Sequence, residues 1–407
     1  MNQAKLPQAI NPFRPGAGHM PPYLAGREDE KREFQRLLEQ ETILENMVLT
    51  GLRGVGKTVL LDTFKPIAIE ANWLWAGSDL TEATSLSEER VAIRLLTDLS
   101  LVTSSVMISH ATAPRIGFDP KVSIESQPLN YDLLLNIFHS VPGLTLDKLK
   151  GVLEFTWDCL KTQSQFPRGL IFAYDEAQNM ADRTDKDEFP LSLLLDVFQS
   201  LQRKGIPFML VMTGLPTLFP RLVEARTFAE RMFRVVFLDG LTQDESRDAI
   251  KKPIESSECK IVLSDELIDD IVEISGGYPY FIQFICREVY DVALQKQRNG
   301  ESLAIQLSEV TRKLDSDFFA GRWAKATDRQ RELLQVIANL ANANSEFTVQ
   351  EVVEESKSFL NRAFSSSHVS QMFNTLTNVG LIYKNRHGKY SFAVPLFSEF
   401  IKRQDNG

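Results

Sequence analysis

The sequence has 407 residues, of which 43% are hydrophobic and 24% are charged, and its formal net charge is −9. This length predicts two or three domains, and the composition is that of a folded globular chain, which excludes a disordered protein. The negative net charge excludes a protein that coats nucleic acid through bulk charge, although it leaves a local basic face open.

Cysteine usage and hydropathy indicate the compartment. The three cysteines, Cys159, Cys259 and Cys286, are too far apart for a CxxC motif or a zinc pair, so we expect inert thiols in a reducing cytosol. The first twenty residues contain prolines and lack the apolar core of a secretory signal. No apolar run approaches the ~20 residues of a membrane span. We therefore expect a cytoplasmic protein with no membrane partner.

Short apolar strands alternate with helical patterns over the first 240 residues. Residues 1–26 form a Pro- and Gly-rich strap, and residues 27–44 are helical. Residues 80–165 are mostly helical, with a break at 112–128 that fits either an inserted loop or a strand pair. The predicted strands are 47–50, 73–75, 170–174, 206–213 and 233–238. Nearly continuous apolar strands separated by helices predict an α/β fold, a parallel sheet with helices on both faces.

The pattern changes after this predicted base, 1–240. Residues 241–313 predict a small helical lid. Residues 314–407 predict a winged-helix domain, with helices at 331–340, 349–355 and 369–376, strands at 381–384 and 389–393, and a turn at 385–388.

A glycine-rich segment, Gly51-Leu-Arg-Gly-Val-Gly-Lys-Thr58, matches the phosphate-loop pattern GxxxxGK[ST] in full. An apolar strand precedes it and an apolar helix follows, so backbone N–H groups and a helix N-terminus can surround an anion. Lys57 would bring its charge to the outer phosphates, and the Thr58 hydroxyl would bind Mg²⁺. We therefore expect ATP and Mg²⁺ as cofactors, with nucleotide contacts from Gly51, Gly54, Val55, Gly56, Lys57, Thr58 and Val59.

Two carboxylates, Asp175 and Glu176, follow the apolar strand at 170–174. A parallel strand beside the phosphate-loop strand would bring both acids to the same edge of the sheet. Asp175 would hold Mg²⁺, and Glu176 would orient and polarise the attacking water. A glutamate directly after the aspartate favours hydrolysis over binding alone.

Two further residues are candidates for catalysis. Thr213 ends the strand at 206–213, where it could contact the terminal phosphate or the water. Arg231 precedes the fifth strand, and in an oligomer such an arginine would stabilise transition-state charge on a neighbouring subunit's ATP. Arg221, Arg226 and Arg234 compete for that role. This interpretation implies a homo-oligomer.

Two other segments are candidates for contact with the nucleotide. Tyr278 and Pro279 follow Gly276-Gly277, and a proline at a helix start could touch the nucleotide. Gly26-Arg27 follows the strap, which could cover the adenine, with Arg27 beginning the first helix.

Seven segments, in the same order along nearly the whole chain, resemble bacterial AAA+ ATPases of the initiator-like and STAND-like group, which are related to the origin-recognition ATPases. They are NPFRPGAGHMPPYLAGRE, GLRGVGKTVLL, LIFAYDEAQ, VMTGLPTL, AERMFRVVFLDGL, GGYPYFIQ and HGKYSFAVPLFSEFIKR. The resemblance implies a five-stranded P-loop NTPase base, a helical lid and a C-terminal winged helix.

The resemblance also implies roles for the site residues. Lys57 and Thr58 correspond to Walker A, Asp175 and Glu176 to Walker B, and Thr213 to sensor 1. The Gly277-Tyr278-Pro279 stretch is similar to the Gly-x-Pro motif that replaces the sensor 2 arginine in STAND ATPases. That departure from standard AAA+ proteins favours a slow nucleotide switch over a ring motor.

The partner of the predicted winged helix stays open between double-stranded DNA and a protein. Its third helix carries Ser365, His368, Ser370, Gln371, Asn374 and Thr375, which can read bases but supply little charge for phosphates. The wing turn adds Lys384, Asn385, Arg386, His387 and Lys389. Residues 328–403 contain nine Lys and Arg against seven Asp and Glu, a mild positive balance. We expect either an ATP switch acting on DNA or an ATP-bound adaptor whose winged helix binds a protein.

Overall fold

The computed structural model describes residues 11–112, 123–257, 261–302, 304–386 and 388–405. These residues form two compact units. Glu28–Thr50 and Leu60–Phe237 make up the first, which we call the sheet unit. The described parts of Met1–Arg27, Gly51–Val59 and Leu238–Gly407 make up the second, which we call the C-terminal unit. The strap and the phosphate loop therefore group with the C-terminal residues, although both precede most of the sheet in the chain.

The sheet unit contains the strands and helices of the α/β layer. In chain order they are α1 (Glu28–Leu38), β1 (Asn46–Gly51), α2 (Lys57–Glu70), β2 (Trp73–Asp79), α3 (Glu88–Thr103), β3 (Met107–Thr112), β4 (Ser123–Pro128), α4 (Tyr131–Ser140), α5 (Thr145–Lys161), β5 (Gly169–Asp175), α6 (Pro190–Arg203), β6 (Phe208–Gly214), α7 (Leu218–Ala225), α8 (Ala229–Met232) and β7 (Phe233–Leu238).

Five strands form the central sheet, in the order β2-β5-β6-β1-β7. β2 pairs with β5, β5 with β6, and β6 with β1, and all three pairs are parallel. Every residue of β1, β5 and β6 is buried, which explains their continuous apolar sequences. The predicted α/β fold with a five-stranded P-loop sheet is confirmed. Because parallel strands end at one edge, this order brings the carboxyl ends of β5 and β6 beside that of β1, where the phosphate loop begins.

An inserted segment lies between β2 and β5 in the chain. It contains α3, α4 and α5 and an antiparallel hairpin of β3 and β4. β4 lies within the predicted break at 112–128, for which a strand pair was one alternative. β3 begins five residues before that break, in a part predicted to be mostly helical, and that part of the prediction is wrong. Residues 113–122 lie outside the described residues. Side chains of the three helices share one apolar core with the sheet, which includes Leu95, Leu153 and Phe172.

The C-terminal unit is mainly helical. Its elements are α9 (Gln243–Glu255), α10 (Asp265–Ser275), α11 (Pro279–Asn299), α12 (Leu307–Leu314), α13 (Ala320–Trp323), α14 (Asp328–Asn339), α15 (Val349–Phe359), α16 (Ser366–Asn378), β8 (Ile382–Arg386), β9 (Lys389–Phe392) and α17 (Phe397–Asp405). A π-helical turn, Asp315–Phe319, joins α12 to α13, so the border predicted between 313 and 314 falls inside continuous helix. One apolar core runs from Phe13 of the strap through α11 to α17.

No helix in the described parts of the chain is long and apolar enough to cross a membrane.

Candidate nucleotide site

The phosphate loop, residues 51–58, joins β1 to α2 through two left-handed backbone positions. Gly54 has φ +81° and Gly56 has φ +94°, a region that residues with a Cβ rarely adopt. Val55 between them is buried, whereas Thr58 and Val59 in the first turn of α2 are half-buried. The loop therefore has the conformation in which successive N–H groups can surround an anion at a helix start.

Lys57 is the cationic residue of the loop. Its side chain is buried, and its Nζ donates to the carbonyl oxygens of Gly51 and Leu52 at 2.9 Å each. These bonds hold the ammonium group over the loop's own backbone. The residues of the loop thus fit a phosphate group in both backbone shape and charge.

Arg27 connects the loop to the residue that follows β7. Its guanidinium donates to the carbonyl of Val55 at 3.1 Å and to that of Asp239 at 2.7 Å. The prediction that Arg27 begins the first helix is wrong, because α1 begins at Glu28. Arg27 has a left-handed backbone, with φ +72°, and therefore lies outside the helix. Its observed contacts position the loop backbone, and contact with the nucleotide stays a prediction.

The Gly-Gly-Tyr-Pro-Tyr segment packs directly on the phosphate loop. Gly276 ends α10, Tyr278 is the N-cap of α11, and Pro279 is its first residue. The N–H of Tyr280 donates to the Gly54 carbonyl at 3.1 Å. Burial, followed by nearby Asp239, raises the pKa of Tyr278 to about 12, so its hydroxyl stays protonated. The contact with the loop is thus made by Tyr280, directly after Pro279, and nucleotide contact by Tyr278 and Pro279 stays a prediction.

Asp175 and Thr213 meet at the carboxyl edge of the sheet. Both side chains are buried, and the Thr213 hydroxyl donates to Asp175 Oδ1, which also accepts from the Glu176 N–H at 2.7 Å. Thr213 was expected to face the terminal phosphate or the water. Its observed partner is the carboxylate that we assign to the metal, so it also orients that carboxylate.

Glu176 is exposed and has a left-handed backbone, with φ +52°. Its Oε2 accepts a hydrogen bond from Nε2 of Gln178, a residue that the sequence analysis missed. The side-chain Oε1 of Gln178 also accepts a hydrogen bond from the N–H of Leu215, just past β6, at 3.0 Å. The backbone carbonyl of Gln178 accepts one from the Arg221 guanidinium at 2.7 Å. Gln178 therefore ties the Glu176 carboxylate to the end of β6.

Further carboxylates surround Asp175. Asp79 lies opposite it in register at the end of β2. Partial burial, then the negative charges of Asp175 and Asp79, raise the pKa of the Asp62 carboxyl. This local excess of negative charge favours a cation. Among the described residues no three acidic, histidine or cysteine side chains form a complete metal site, so Mg²⁺ would complete its coordination with phosphate and water oxygens, as it commonly does.

The four candidate arginines have different surroundings. Arg226 forms a two-pronged ion pair with Asp196, Arg234 pairs with Glu33, and Arg221 binds the carbonyl of Gln178. Arg231, on α8, is exposed and makes no side-chain hydrogen bond or ion pair within the described residues. Its role toward a second chain stays a prediction.

The predicted reading helix corresponds to α16. Its exposed face consists of uncharged residues, namely Ser366, Ser367, Ser370, Gln371, Asn374, Thr375 and Asn378. In the predicted wing, Lys384 is exposed, and Lys389 is close enough to Glu351 to help lower the pKa of that carboxyl, after the larger effect of its hydrogen bonds to Thr348. His387 and the side chain of Arg386 lie outside what the structure describes. The exposed face of α16 itself therefore offers no lysine or arginine to phosphates.

The two cysteines within the described residues show no sign of reactivity. Burial raises the thiol pKa of both Cys159 and Cys286, which favours the neutral form. Cys259 lies outside the described residues.

Comparisons with known proteins gave one family model and a set of similar solved structures. A model of a domain of unknown function, DUF8462, matches residues 316–401. Comparison with curated proteins gave no match. The Walker-type ATPase PABY2304 of Pyrococcus abyssi is 17% identical, with a TM-score of 0.56 over 93% of this chain and 96% of that one. The ORC2 protein of Aeropyrum pernix in its ADP form is 14% identical, with a TM-score of 0.54 over 96% of each chain. These likenesses show the fold alone: the chain has an α/β P-loop NTPase architecture with a helical C-terminal region.

Proposed function

We propose that the chain binds ATP with Mg²⁺, hydrolyses it slowly and uses the nucleotide state as a switch. The observation that carries the proposal is the phosphate loop, with its two left-handed glycines and the buried Lys57 ammonium held over its carbonyls. Such a loop places N–H dipoles and a cation around an anion without later rearrangement. β1 is the strand that leads into the phosphate loop. The carboxyl edge of the same sheet carries the acidic pair that hydrolysis requires.

Each side chain has a distinct role in this proposal. Lys57 neutralises the outer phosphates, and Thr58 and Asp175 hold Mg²⁺, which supplies charge stabilisation when bound. Thr213 orients the Asp175 carboxylate through its hydrogen bond. Glu176 accepts a proton from water, and Gln178 holds its carboxylate. The chain thus contains a metal-binding acid and a separate basic carboxylate.

Two features support slow turnover by a single chain. The turn that packs on the loop presents Tyr278 and Pro279, neither of which carries charge at neutral pH. Arg231 is exposed on α8, where it could act on the nucleotide of a second copy. Since an arginine supplied in trans can accelerate phosphoryl transfer about 10³- to 10⁵-fold, an isolated chain would be slow and assembly would be the activating step.

The uncharged face of α16 supports a second candidate function. DNA affinity depends mainly on cations that neutralise phosphates, and this helix presents serine, asparagine, glutamine and threonine instead. In this alternative the C-terminal helices and hairpin form a winged helix that binds a protein, and ATP is a bound structural ligand. The exposed Lys384 in the predicted wing is the observation that favours the DNA-directed switch.

The decisive experiment measures phosphate release from ATP by the purified chain, with and without double-stranded DNA. We expect slow release that Glu176→Gln abolishes while ATP stays bound, because the water loses its base. Lys57→Ala should remove ATP binding itself. Wild-type ATP affinity in Lys57→Ala would show that the site is wrongly assigned.

The same assay separates the two functions. Release that DNA accelerates, and that Glu176→Gln eliminates, would favour the DNA-directed switch. Stoichiometric ATP with no phosphate release at any DNA concentration would favour the adaptor, and the search would turn to a protein partner.

A further inference from the structure

Two arginines of the C-terminal unit have no role in the site as described above. Arg53 is the third residue of the phosphate loop, and its side chain is exposed. Arg322 lies in α13, far along the chain, and is half-buried. Neither makes an ion pair with a carboxylate among the described residues.

A short chain of contacts leads from Arg322 to the loop. The Arg322 guanidinium stacks on the Phe318 ring, 3.9 Å from its centroid, and donates to the Phe318 carbonyl. Phe318 in turn packs against Tyr280, with ring centroids 5.2 Å apart. The N–H of Tyr280 donates to Gly54, the residue after Arg53. Arg322 is thus held over an aromatic surface that contacts the loop.

The charges of the two arginines act on each other. Burial first, and then the positive charge of Arg53, lower the pKa of Arg322. Two like charges without a carboxylate partner raise the free energy of this region, and an anion between them would lower it. Stacking on Phe318 also restrains the Arg322 guanidinium, so binding would cost little side-chain entropy.

We propose that Arg53 and Arg322 together bind the terminal phosphate of ATP and thereby make the site selective for the triphosphate over the diphosphate. The inference rests on the proposed function, since it deepens the role of the same loop. Arg53 belongs to the segment that surrounds the phosphates, which favours the nucleotide over an unrelated anion. The planar guanidinium matches phosphate oxygens through paired hydrogen bonds.

The test measures affinities for a non-hydrolysable ATP analogue and for ADP in Arg53→Gln, Arg322→Gln and the double variant. We expect each single variant to lose about 10- to 100-fold in affinity for the ATP analogue, the range for a hydrogen bond to a charged group. ADP affinity should stay within about twofold. Arg53 is exposed and unpaired, so its variant tests the proposal even if Arg322→Gln fails to fold.

Arg329→Gln is the matched control. Its guanidinium stacks on Phe364 at 4.0 Å, as Arg322 does on Phe318, but it pairs with Glu332. We expect this variant to bind both nucleotides like the wild type. Equal losses for ATP and ADP in the test variants would assign the arginines to packing and overturn the proposal.

Two other outcomes would also overturn it. Unchanged affinity for both nucleotides would exclude contact with the terminal phosphate. Loss of DNA binding at unchanged nucleotide affinity would assign the arginines to nucleic-acid phosphates. Failure of the proposed function itself would look different, because Lys57→Ala would then leave ATP and ADP binding intact.

Discussion

At the scale of single residues, Gln178 explains how an exposed glutamate is held in place. Glu176 has a left-handed backbone and lies at the surface, where a carboxylate would otherwise sample many rotamers. Gln178 restrains it and is itself fixed by the N–H of Leu215. A base held in one geometry loses less entropy when the reaction begins.

We therefore predict that Gln178→Leu lowers the rate of phosphate release about tenfold and leaves ATP affinity within about twofold. The Glu176 carboxylate would keep its basicity and lose its position. Single-turnover phosphate release measures the effect. Gln297→Leu, on the exposed side of α11, serves as the control and should match the wild type. An unchanged rate in Gln178→Leu would contradict the positioning role.

The site residues that the sequence could predict are those whose proposed role depends on near neighbours in the chain. Lys57 follows its glycines directly, and Asp175 ends its strand, so spacing alone singled them out; their roles stay predictions. Gln178 was missed because no sequence pattern predicts the direction in which a side chain points after a strand ends. Arg322 was missed because its relation to the loop depends on the packing of Phe318 and Tyr280.

At the scale of elements, the turn between α10 and α11 determines what the phosphate loop contacts. Gly277 has φ +73°, and its carbonyl accepts the N–H of Leu241 at 2.7 Å. A Cβ at this position would lie 2.4 Å from the Leu241 carbonyl oxygen, which is backbone and can move little. The turn therefore combines a left-handed backbone with a close approach, and only glycine satisfies both.

We predict that Gly277→Ala lowers the free energy of unfolding by about 2–3 kcal/mol, from backbone strain together with the steric clash. ATP affinity should fall as well, because the Tyr280 N–H would shift from Gly54. Gly300→Ala isolates the first cause, since Gly300 has φ +70° and nothing within 4 Å of a Cβ. Denaturant titration of both variants measures the difference. Equal destabilisation would mean that the contact with Leu241 contributes nothing.

Element prediction succeeded where burial is complete. β5 and β6 are buried along their whole length, so their apolar runs had one interpretation. The pair β3 and β4 could not be distinguished from a loop, because its sequence has no such run. α17 was missed because it is short, with nine residues. Its Phe397 and Phe400 also pack on Phe319 and Trp323, which are distant in the sequence.

At the scale of the whole molecule, the N-terminal strap is part of the C-terminal unit. Asn11 donates to the Arg287 carbonyl at 2.9 Å, and the N–H of Arg14 donates to Gln283 at 3.0 Å. Phe13 is buried and meets Tyr290 edge to face at 6.2 Å. The strap was predicted as a cover for adenine. Asn11, Phe13 and Arg14 contact α11, which sequence order alone could not indicate. Tyr23 contacts Lys252 of α9, and cover of the adenine stays a prediction.

We predict that Phe13→Ala destabilises the C-terminal unit by about 3–5 kcal/mol, the cost of removing a buried phenyl ring. Met20→Ala, in an exposed part of the same strap, should change stability by less than about 0.5 kcal/mol. Hydrogen exchange of α11 reports the loss locally. Protection of α11 that is unchanged in Phe13→Ala would show that the strap does not stabilise it.

The contacts of the strap also bear on how the chain folds as it leaves the ribosome. Asn11 and Arg14 are separated from their partners on α11 by roughly 270 residues, which take about 15 to 50 s to synthesise at 5–20 residues per second. During that interval Phe13 has no apolar surface of α11 to cover it. The sheet unit ends before α11 begins, so its apolar core can form first. The strap is thus made long before the surface on which it packs, and it would be open to chaperones throughout that interval.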